Sequence, residues 1–124
     1  MELNDLSSNI ISAAIEVHKD LGPGLLESVY QSCMIVELLN RNMKVESEVA
    51  VPVFYRGIKV NEDGFRLDLL VEGTVVVELK SVEKVLPIHK KQLLTYLKLT
   101  KKPLGLLINF NDNRLIDGVT RIVN

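Results

Sequence analysis

The chain has 124 residues, and we expect residues 1–124 to form one domain. A hydrophobic fraction of 47% can supply a core, but no apolar run approaches the roughly 18 residues of a bilayer-spanning helix. The single cysteine excludes an internal disulfide framework and a cysteine-rich zinc site. Since the first residues also lack the pattern of a secretory signal, we expect a cytoplasmic protein.

Charge is unevenly distributed along the chain. The formal net charge is −1, which argues against a strongly basic nucleic-acid binder. Residues 1–78 nevertheless carry 6 Lys/Arg and 13 Asp/Glu, whereas residues 79–124 carry 9 and 3. The basic C-terminal third could face a polyanion, or it could be a set of lysines in solvent.

The first 40 residues predict two helices. The first has Ser7 or Ser8 as its cap and ends at "LGPG", because Gly and Pro break helices. The second runs from about residue 25 to residue 40. Apolar side chains recur at helical spacing in both segments. The predicted inner stripes are Leu6, Ile10, Ala14, Val17 and Leu21 in the first helix, and Leu26, Val29, Tyr30, Cys33 and Val36 in the second.

The remaining chain predicts strands and one further helix. "KVESEVAVPVFY" alternates with period two, and Pro52 places the end of this strand at a sheet edge. A turn at residues 61–64 precedes the strands "FRLDLLV" and "VVVELKS", which "EGT" joins. Pro87 begins a helix to about residue 101, followed by a buried strand, "PLGLLINF", and a more exposed one, "RLIDGVTRIV". This order predicts a mixed α/β sandwich with a central antiparallel hairpin. In the first strand, Val45, Ser47, Val49, Val51 and Val53 are predicted to share one face, with Glu46 and Glu48 on the other.

Three charged residues interrupt the two most apolar strands. Glu78 and Lys80 are two positions apart and therefore share a sheet face. If "EGT" is a three-residue loop, Asp68 lies opposite Glu78, whereas a two-residue loop would point the two carboxylates apart. The alternative is a simple Glu78–Lys80 ion pair with Asp68 in solvent.

Two facing carboxylates would repel each other, so that one holds a proton or both share a cation. Two carboxylates with a backbone carbonyl and waters is a usual environment for Mg²⁺. A cation held in this way could polarise a phosphodiester, and Lys80 could stabilise developing negative charge.

Four motifs in order resemble a known family. They are "GLLESVY", with the spacing G-x-x-E-x-x-Y; Asp68 ten positions before Glu78-Leu79-Lys80; "QLLTYLKL"; and "GLLINF". Together they resemble the GxxExxY family, small bacterial and archaeal proteins assigned to the PD-(D/E)XK nuclease superfamily. The resemblance implies a restriction-endonuclease-like core of order αβββαβ, a mixed central sheet flanked by helices, here with an extra N-terminal helix and an extra C-terminal strand.

The resemblance also implies roles for individual residues. Asp68, Glu78 and Glu27 would bind Mg²⁺ or Mn²⁺, Lys80 would assist the attack of water, and Gln92 would complete the catalytic set by orienting these groups. Leu67 stands where the superfamily's proline is expected, a departure that removes no metal ligand.

Each of these residues also has a structural interpretation. Glu27 is favoured near a helix N-terminus in any case, and Tyr30 could bind substrate or be a core residue with a polar end. Gln92 lies in an apolar row with Ile88, Tyr96 and Leu99, so its amide would need a buried partner. Side chains on the other face of that helix, either solvated or in contact with substrate phosphates, are Lys91, Thr95, Lys98 and Lys102. His18 and His89 are expected near the surface or behind the site, and Cys33 in the core.

The sequence thus favours a divalent-metal-dependent nuclease-like protein that hydrolyses DNA or RNA phosphodiesters. The alternative is a non-catalytic module of the same fold that binds nucleic acid or protein. A third hypothesis, a hydrolase of other phosphate esters, lacks the support of a glycine-rich phosphate loop. We expect nucleic acid but no membrane as a partner, and the resemblance allows a homodimer.

Overall fold

The computed structural model describes residues 1–61 and 65–124. The turn predicted at residues 61–64 therefore lies, except for Asn61, outside the described residues. In these ranges two helices come first, five strands follow, and a third helix and two further strands end the order, with a short 3₁₀ helix before the last strand. The helices are α1 (Leu3–Leu21), α2 (Glu27–Asn40) and α3 (Pro87–Thr100). The strands are β1 (Val45–Val51), β2 (Phe54–Tyr55), β3 (Ile58–Lys59), β4 (Phe65–Val71), β5 (Val75–Lys80), β6 (Leu104–Asn109) and β7 (Val119–Val123).

Five of the strands form one mixed sheet in the order β1-β4-β5-β6-β7. The pairs β1–β4, β4–β5 and β6–β7 are antiparallel, and β5 and β6 are parallel and joined through α3. The prediction of a mixed sheet around an antiparallel hairpin is confirmed. So is the edge position of β1, which ends at Val51 immediately before Pro52.

Helices cover both faces of this sheet. Buried side chains of α1 and α2 pack with Leu69, Val75 and Val77 on one face. Buried side chains of α3 pack with Leu70, Val76 and others on the opposite face. Along β5 and the last three residues of β4, the period of two thus divides the apolar residues between two cores. None of the helices in the described ranges is long and apolar enough to cross a membrane.

The helix ends differ in how well the sequence predicts them. α3 begins at Pro87 as predicted, since proline lacks only an N–H that the first turn does not use. α1 begins at Leu3, so the prediction of Ser7 or Ser8 as its cap is wrong. Ser7 is buried inside the helix, where its hydroxyl donates to the Asn4 carbonyl over 3.0 Å. The predicted strand "RLIDGVTRIV" is also shorter than expected, because Leu115–Gly118 is a 3₁₀ helix.

The inner stripe predicted for α2 is largely wrong. Its buried residues are Tyr30, Met34 and Leu38, while Val29 and Val36 are exposed. Apolar side chains occupy more than one face of this helix, so periodicity alone does not say which face is inside. The face that packs against the sheet and α1 is the one that contains Tyr30.

Strand β1 changes face in its middle. Val45 packs with the core under α1 and α2, whereas Val49 and Val51 pack with the core under α3. Glu48 lies between them with a left-handed φ of 51°. The prediction that all five alternate residues of this strand share one face is therefore wrong, because one left-handed residue reverses the alternation.

Strands β2 and β3 form a separate two-stranded hairpin that the sequence did not predict. Its tip is Arg56-Gly57, with φ values of 50° and 80°. Two successive positive φ values are the requirement of the tight hairpin turn that matches strand twist. Arginine is not a typical first residue of such a turn, which explains why the pattern gave no signal.

Candidate functional site

The central hairpin brings Asp68 and Glu78 together. Leu69 pairs with Val77, and Val71 pairs with Val75, so residues 72–74 form a three-residue loop. Within this loop, both Glu72 and Gly73 have positive φ. The three-residue alternative is thus confirmed, and continuing its register by one position places Asp68 opposite Glu78.

At this position, carboxylates take the place of backbone acceptors between the strands. The Leu79 amide donates a hydrogen bond to Asp68 Oδ2 over 2.8 Å. The Asp68 amide donates to Glu78 Oε1 over 3.3 Å. Each carboxylate is therefore held by the backbone of the opposite strand, and the two acidic side chains lie together where β4 and β5 separate.

Burial makes two adjacent negative charges unfavourable here. Glu78 is only 9% exposed. Burial, and then the neighbouring Asp68 charge, raise the pKa of Glu78 to about 9. The pKa of Asp68 is also raised by burial, although the hydrogen bond from Leu79 opposes this effect. Without a cation the pair therefore holds a proton at neutral pH, as the sequence predicts for facing carboxylates.

Strand β1 adds a carboxylate that the sequence interpretation missed. Ser47 pairs with Leu69 and Val49 pairs with Leu67, so Glu48 lies opposite Asp68 on its other side. The Glu48 charge contributes to the raised pKa of Asp68. The alternating pattern assigned this glutamate to a plain solvent face, and the register between β1 and β4 is not visible in the sequence.

The N-terminal end of α2 approaches the same point of the sheet. Gln31 Nε2 donates to the Asp68 carbonyl over 3.4 Å. Glu27 lies one turn earlier, is exposed, and adds its charge to those that raise the pKa of Asp68. Residues 1–61 and 65–124 contain no group of three His, Cys, Asp or Glu side chains placed to share a metal ion. The structure therefore unites Asp68 with Glu78 and leaves Glu27 at electrostatic range.

Lys80 is half-buried on the strand of Glu78, whose pKa it lowers through its positive charge. Within the part of the chain that the structure describes, no ion pair of 4.0 Å or less involves Lys80. Because Asp68 is hydrogen-bonded to β5, the alternative of a simple Glu78–Lys80 pair with Asp68 in solvent is wrong.

Helix α3 presents Tyr96 to the site. Its pKa is raised by burial and then by the charges of Glu78 and Asp68. Gln92 lies one turn before Tyr96 but is exposed, so the prediction that its amide needs a buried partner is wrong. The buried row of this helix consists of Leu93 and Leu97. Lys91 and Lys98 are exposed, as expected for either interpretation of the basic face.

Tyr30 has a structural role that excludes direct contact with substrate. Its side chain is fully buried, and its ring stacks on Phe110 with centroids 4.4 Å apart. Its hydroxyl donates to the Gly22 carbonyl over 2.5 Å and accepts from the Leu25 amide over 3.2 Å. The interpretation as a core residue with a polar end is confirmed, and the prediction of a substrate-binding role is wrong.

The loop between α1 and α2 is also hydrogen-bonded to the end of β5, the strand that carries Glu78. Ser81, directly after β5, donates its hydroxyl hydrogen bond to the Leu25 carbonyl over 2.6 Å. Together with Tyr30, this bond fixes the loop that leads into α2, where Gly24 has a φ of 95°. The spacing G-x-x-E-x-x-Y thus combines a glycine turn, a glutamate at the helix start and a tyrosine that anchors both.

The remaining candidates are structural. His18 is buried, and its Nε2 lies 2.8 Å from the Asp112 carbonyl, so of the two positions expected for it, at the surface or behind the site, the surface position is wrong. His89 Nδ1 accepts from the Leu86 amide at the start of α3. Cys33 packs partly buried against the core. The sequence interpretation overlooked Asn109, which is buried and bonds both backbone groups of Val82 after β5.

Comparisons with known proteins agree with this geometry. No curated protein and no solved structure gives a significant match to the chain. A sequence model of the PD-(D/E)XK nuclease superfamily, however, matches residues 4–122, which is almost the full length. The mixed five-stranded sheet flanked by helices is consistent with the restriction-endonuclease-like architecture of that superfamily. The chain therefore belongs to the PD-(D/E)XK nuclease superfamily.

Proposed function

We propose that this protein hydrolyses phosphodiester bonds in DNA or RNA with Mg²⁺ or Mn²⁺ as its cofactor. The observation that carries the proposal is the convergence of Asp68 and Glu78 on the central hairpin of a chain from this superfamily. The G-x-x-E-x-x-Y spacing further supports placing the chain in the GxxExxY group, which is part of the same proposal.

The donor set at the site fits a divalent cation. Asp68 and Glu78 each use one oxygen to accept a backbone hydrogen bond, and each carries a second oxygen. A cation between them would offset the repulsion that raises the pKa of both groups. Mg²⁺ commonly binds through one or two carboxylates with the remaining positions filled by water and substrate. When bound, the ion would polarise the phosphodiester and neutralise developing charge.

Other residues would act on the substrate side of this pair. Lys80 shares the sheet face of Glu78, where its ammonium group would stabilise negative charge that develops on the phosphate. Glu27 would complete the metal environment from the start of α2, through water if not directly. Gln92 would help to orient the reacting groups from α3. The exposed Lys91 and Lys98 would contact the phosphate backbone.

A cleavage assay tests the proposal. The purified protein is incubated with labelled single- and double-stranded DNA and RNA in Mg²⁺, in Mn²⁺ and in EDTA. We expect cleavage in either metal and none in EDTA, and Asp68→Ala and Lys80→Ala should each abolish it. Lys44→Ala is the matched control, because Lys44 is exposed directly before β1, where its amide donates to the carboxylate of Glu72 at the far end of β4. Intact nucleic acid under every condition would refute the catalytic proposal.

A non-catalytic module is the second candidate, and one observation favours it. Over the described ranges no group of three His, Cys, Asp or Glu side chains is placed to share a metal ion, so Glu27 does not complete a three-carboxylate site with Asp68 and Glu78. Calorimetry separates the two candidates. A protein that binds nucleic acid, shows no heat of Mn²⁺ binding and cleaves nothing would be a binding module on this fold.

We also propose that the protein forms a homodimer. A dimer would enlarge the small surface with which a single chain can contact nucleic acid. The outer side of α2 supports it, because this helix and the residue before it carry exposed apolar side chains: Leu26, Val29, Val36 and Leu39. Such exposed patches mark interaction surfaces. Light scattering on the wild type and on Val36→Glu would test it, and an unchanged monomer mass for both would contradict it.

A further inference from the structure

The hairpin formed by β2 and β3 has no core of its own. Among the residues that the structure describes, its two strands pair only with each other, outside the five-stranded sheet. Its large side chains are mostly in solvent, with exposed fractions of 59% for Phe54, 63% for Tyr55 and 68% for Ile58. A two-stranded hairpin is marginally stable alone in water, and an exposed apolar patch usually marks a contact surface. The hairpin is therefore a candidate for binding a partner.

The chemistry of the hairpin favours nucleic acid as that partner. Phe54 pairs with Lys59, and Tyr55 pairs with Ile58, so each face presents one aromatic ring. The Arg56 guanidinium lies over the Tyr55 ring, 5.3 Å from its centroid. Residues 53–60 carry two cations and no acidic side chain. Exposed rings combined with cations suit bases that stack and phosphates that need a counter-charge.

The hairpin emerges close to the carboxylate pair. At its base, Asn61 Oδ1 accepts from the Val53 amide over 2.6 Å, and Asn61 Nδ2 donates to the Val51 carbonyl over 3.1 Å. Val51 pairs with Phe65, which precedes Asp68 by three residues on β4. At about 3.3 Å per residue, the hairpin base is roughly 10 Å from Asp68. That is a distance of a few nucleotides at most.

Aromatic side chains connect the two places. The Phe65 ring is half-exposed and lies 5.5 Å from the Tyr96 ring, centroid to centroid. Tyr96 in turn feels the charges of Glu78 and Asp68. A strand of nucleic acid that runs from the catalytic pair towards the hairpin would therefore find two further aromatic rings, Tyr96 and Phe65, on which bases can stack.

We propose that the hairpin of residues 53–60 is an arm that grips the substrate beside the cleaved phosphate. Unpaired bases stack on Tyr55 and Phe54, and Arg56 and Lys59 contact phosphates. Bases inside a duplex stack on each other and offer no free face, so the arm selects nucleic acid with a single-stranded segment or a frayed end. This inference rests on the proposed function and narrows its substrate class.

Binding assays on the full chain test the arm separately from catalysis. Fluorescence anisotropy is measured with a labelled single-stranded oligonucleotide and with its duplex, in EDTA, and again with Mg²⁺ in the Lys80→Ala background. We expect preference for the single strand. Tyr55→Ala should weaken its binding about 5-fold or more, the lower end of a lost base–aromatic stack, while Tyr55→Phe retains it. Arg56→Ala should reduce the slope of log K against log salt by about 0.7.

Two exposed residues far from the hairpin serve as controls. Ile116→Ala and Lys44→Ala remove an exposed apolar group and an exposed cation elsewhere, and they should leave single-strand binding unchanged. Wild-type affinity in Tyr55→Ala and Arg56→Ala would overturn the inference, as would equal affinity for the duplex. If the hairpin variants change the molar mass measured by light scattering but not the affinity for nucleic acid, the hairpin is a contact between protein chains instead. Single-strand binding through the arm without any cleavage would refute the catalytic proposal and leave the arm standing.

Discussion

Asp68 and Glu78 lie opposite each other in the central hairpin, each carboxylate fixed by a backbone N–H of the other's strand. This arrangement holds two acidic groups in a largely buried place without a full counter-charge. Such a site is unfavourable for folding unless a proton or a cation is present. The stability and the metal affinity of the protein should therefore depend on the same two side chains.

The metal-free protein should lose stability as pH rises. Since the folded-state pKa of Glu78, about 9, exceeds its ordinary value of 4.5, the folded state holds a proton that the unfolded chain releases. This proton's contribution to the free energy of unfolding should therefore be full at and below about pH 4.5 and be lost as the pH rises to about 9. Denaturant melts in EDTA across this range would measure it. Glu78→Gln should flatten the profile and be more stable than wild type at pH 8 by about 1 kcal/mol or more. A wild-type profile identical to that of Glu78→Gln would contradict the raised pKa.

Metal binding should offset the loss of stability that the two adjacent carboxylate charges cause at high pH. A ligand present at 100 times its Kd stabilises the folded state by about 2.7 kcal/mol, so Mn²⁺ should raise the melting temperature of the wild type. The effect should be larger at pH 8 than at pH 6, because binding must displace the proton that Glu78 holds. Differential scanning fluorimetry with a Mn²⁺ titration measures the shift. Glu78→Gln, although stabilised without metal, should show almost none. Equal shifts in both proteins would place the ion elsewhere.

Glu48 should influence the site through its charge, and Glu46 offers a matched comparison. Both glutamates are exposed on β1, but only Glu48 lies opposite Asp68. Glu48→Gln should lower the raised pKa of Asp68 and weaken Mn²⁺ binding about 2- to 10-fold, since it removes a nearby negative charge. Glu46→Gln should leave the affinity unchanged. Calorimetric titrations of both variants measure this, and equal affinities would show that Glu48 is only a solvated edge residue.

The sequence could predict the part of the site that depends on residue spacing within β4, β5 and the loop between them. Period two places Glu78 and Lys80 on one face, and a three-residue loop then determines that Asp68 lies opposite Glu78. Both elements are local, so no distant contact had to be known. The antiparallel hairpin and the pairing of its two carboxylates could therefore be predicted from the sequence.

The parts that sequence reasoning missed depend on non-local packing or on unusual backbone. Glu48 adopts a left-handed conformation although its residue type does not favour it, so the face change in β1 left no pattern. Helix α2 is apolar on two sides, and only its packing on α1 and the sheet selects Tyr30 and Met34 as the buried row. Gln92 was misplaced for the same reason, because the buried row of α3 is Leu93 and Leu97.

Tyr30 should contribute to the stability of the loop that leads into α2, and not to substrate contact. Tyr30→Phe keeps the stack on Phe110 but removes the hydroxyl that bridges Gly22 and Leu25. A lost buried hydrogen bond that leaves its partner unsatisfied costs about 1–3 kcal/mol, so the free energy of unfolding should fall by that amount. Tyr55→Phe is the control, because the Tyr55 side chain is exposed and its variant should unfold like the wild type. At a temperature where Tyr30→Phe stays folded, its KM for nucleic acid should match that of the wild type, since the buried ring cannot reach a substrate. A raised KM with unchanged stability would contradict the anchoring role and return Tyr30 to the binding surface.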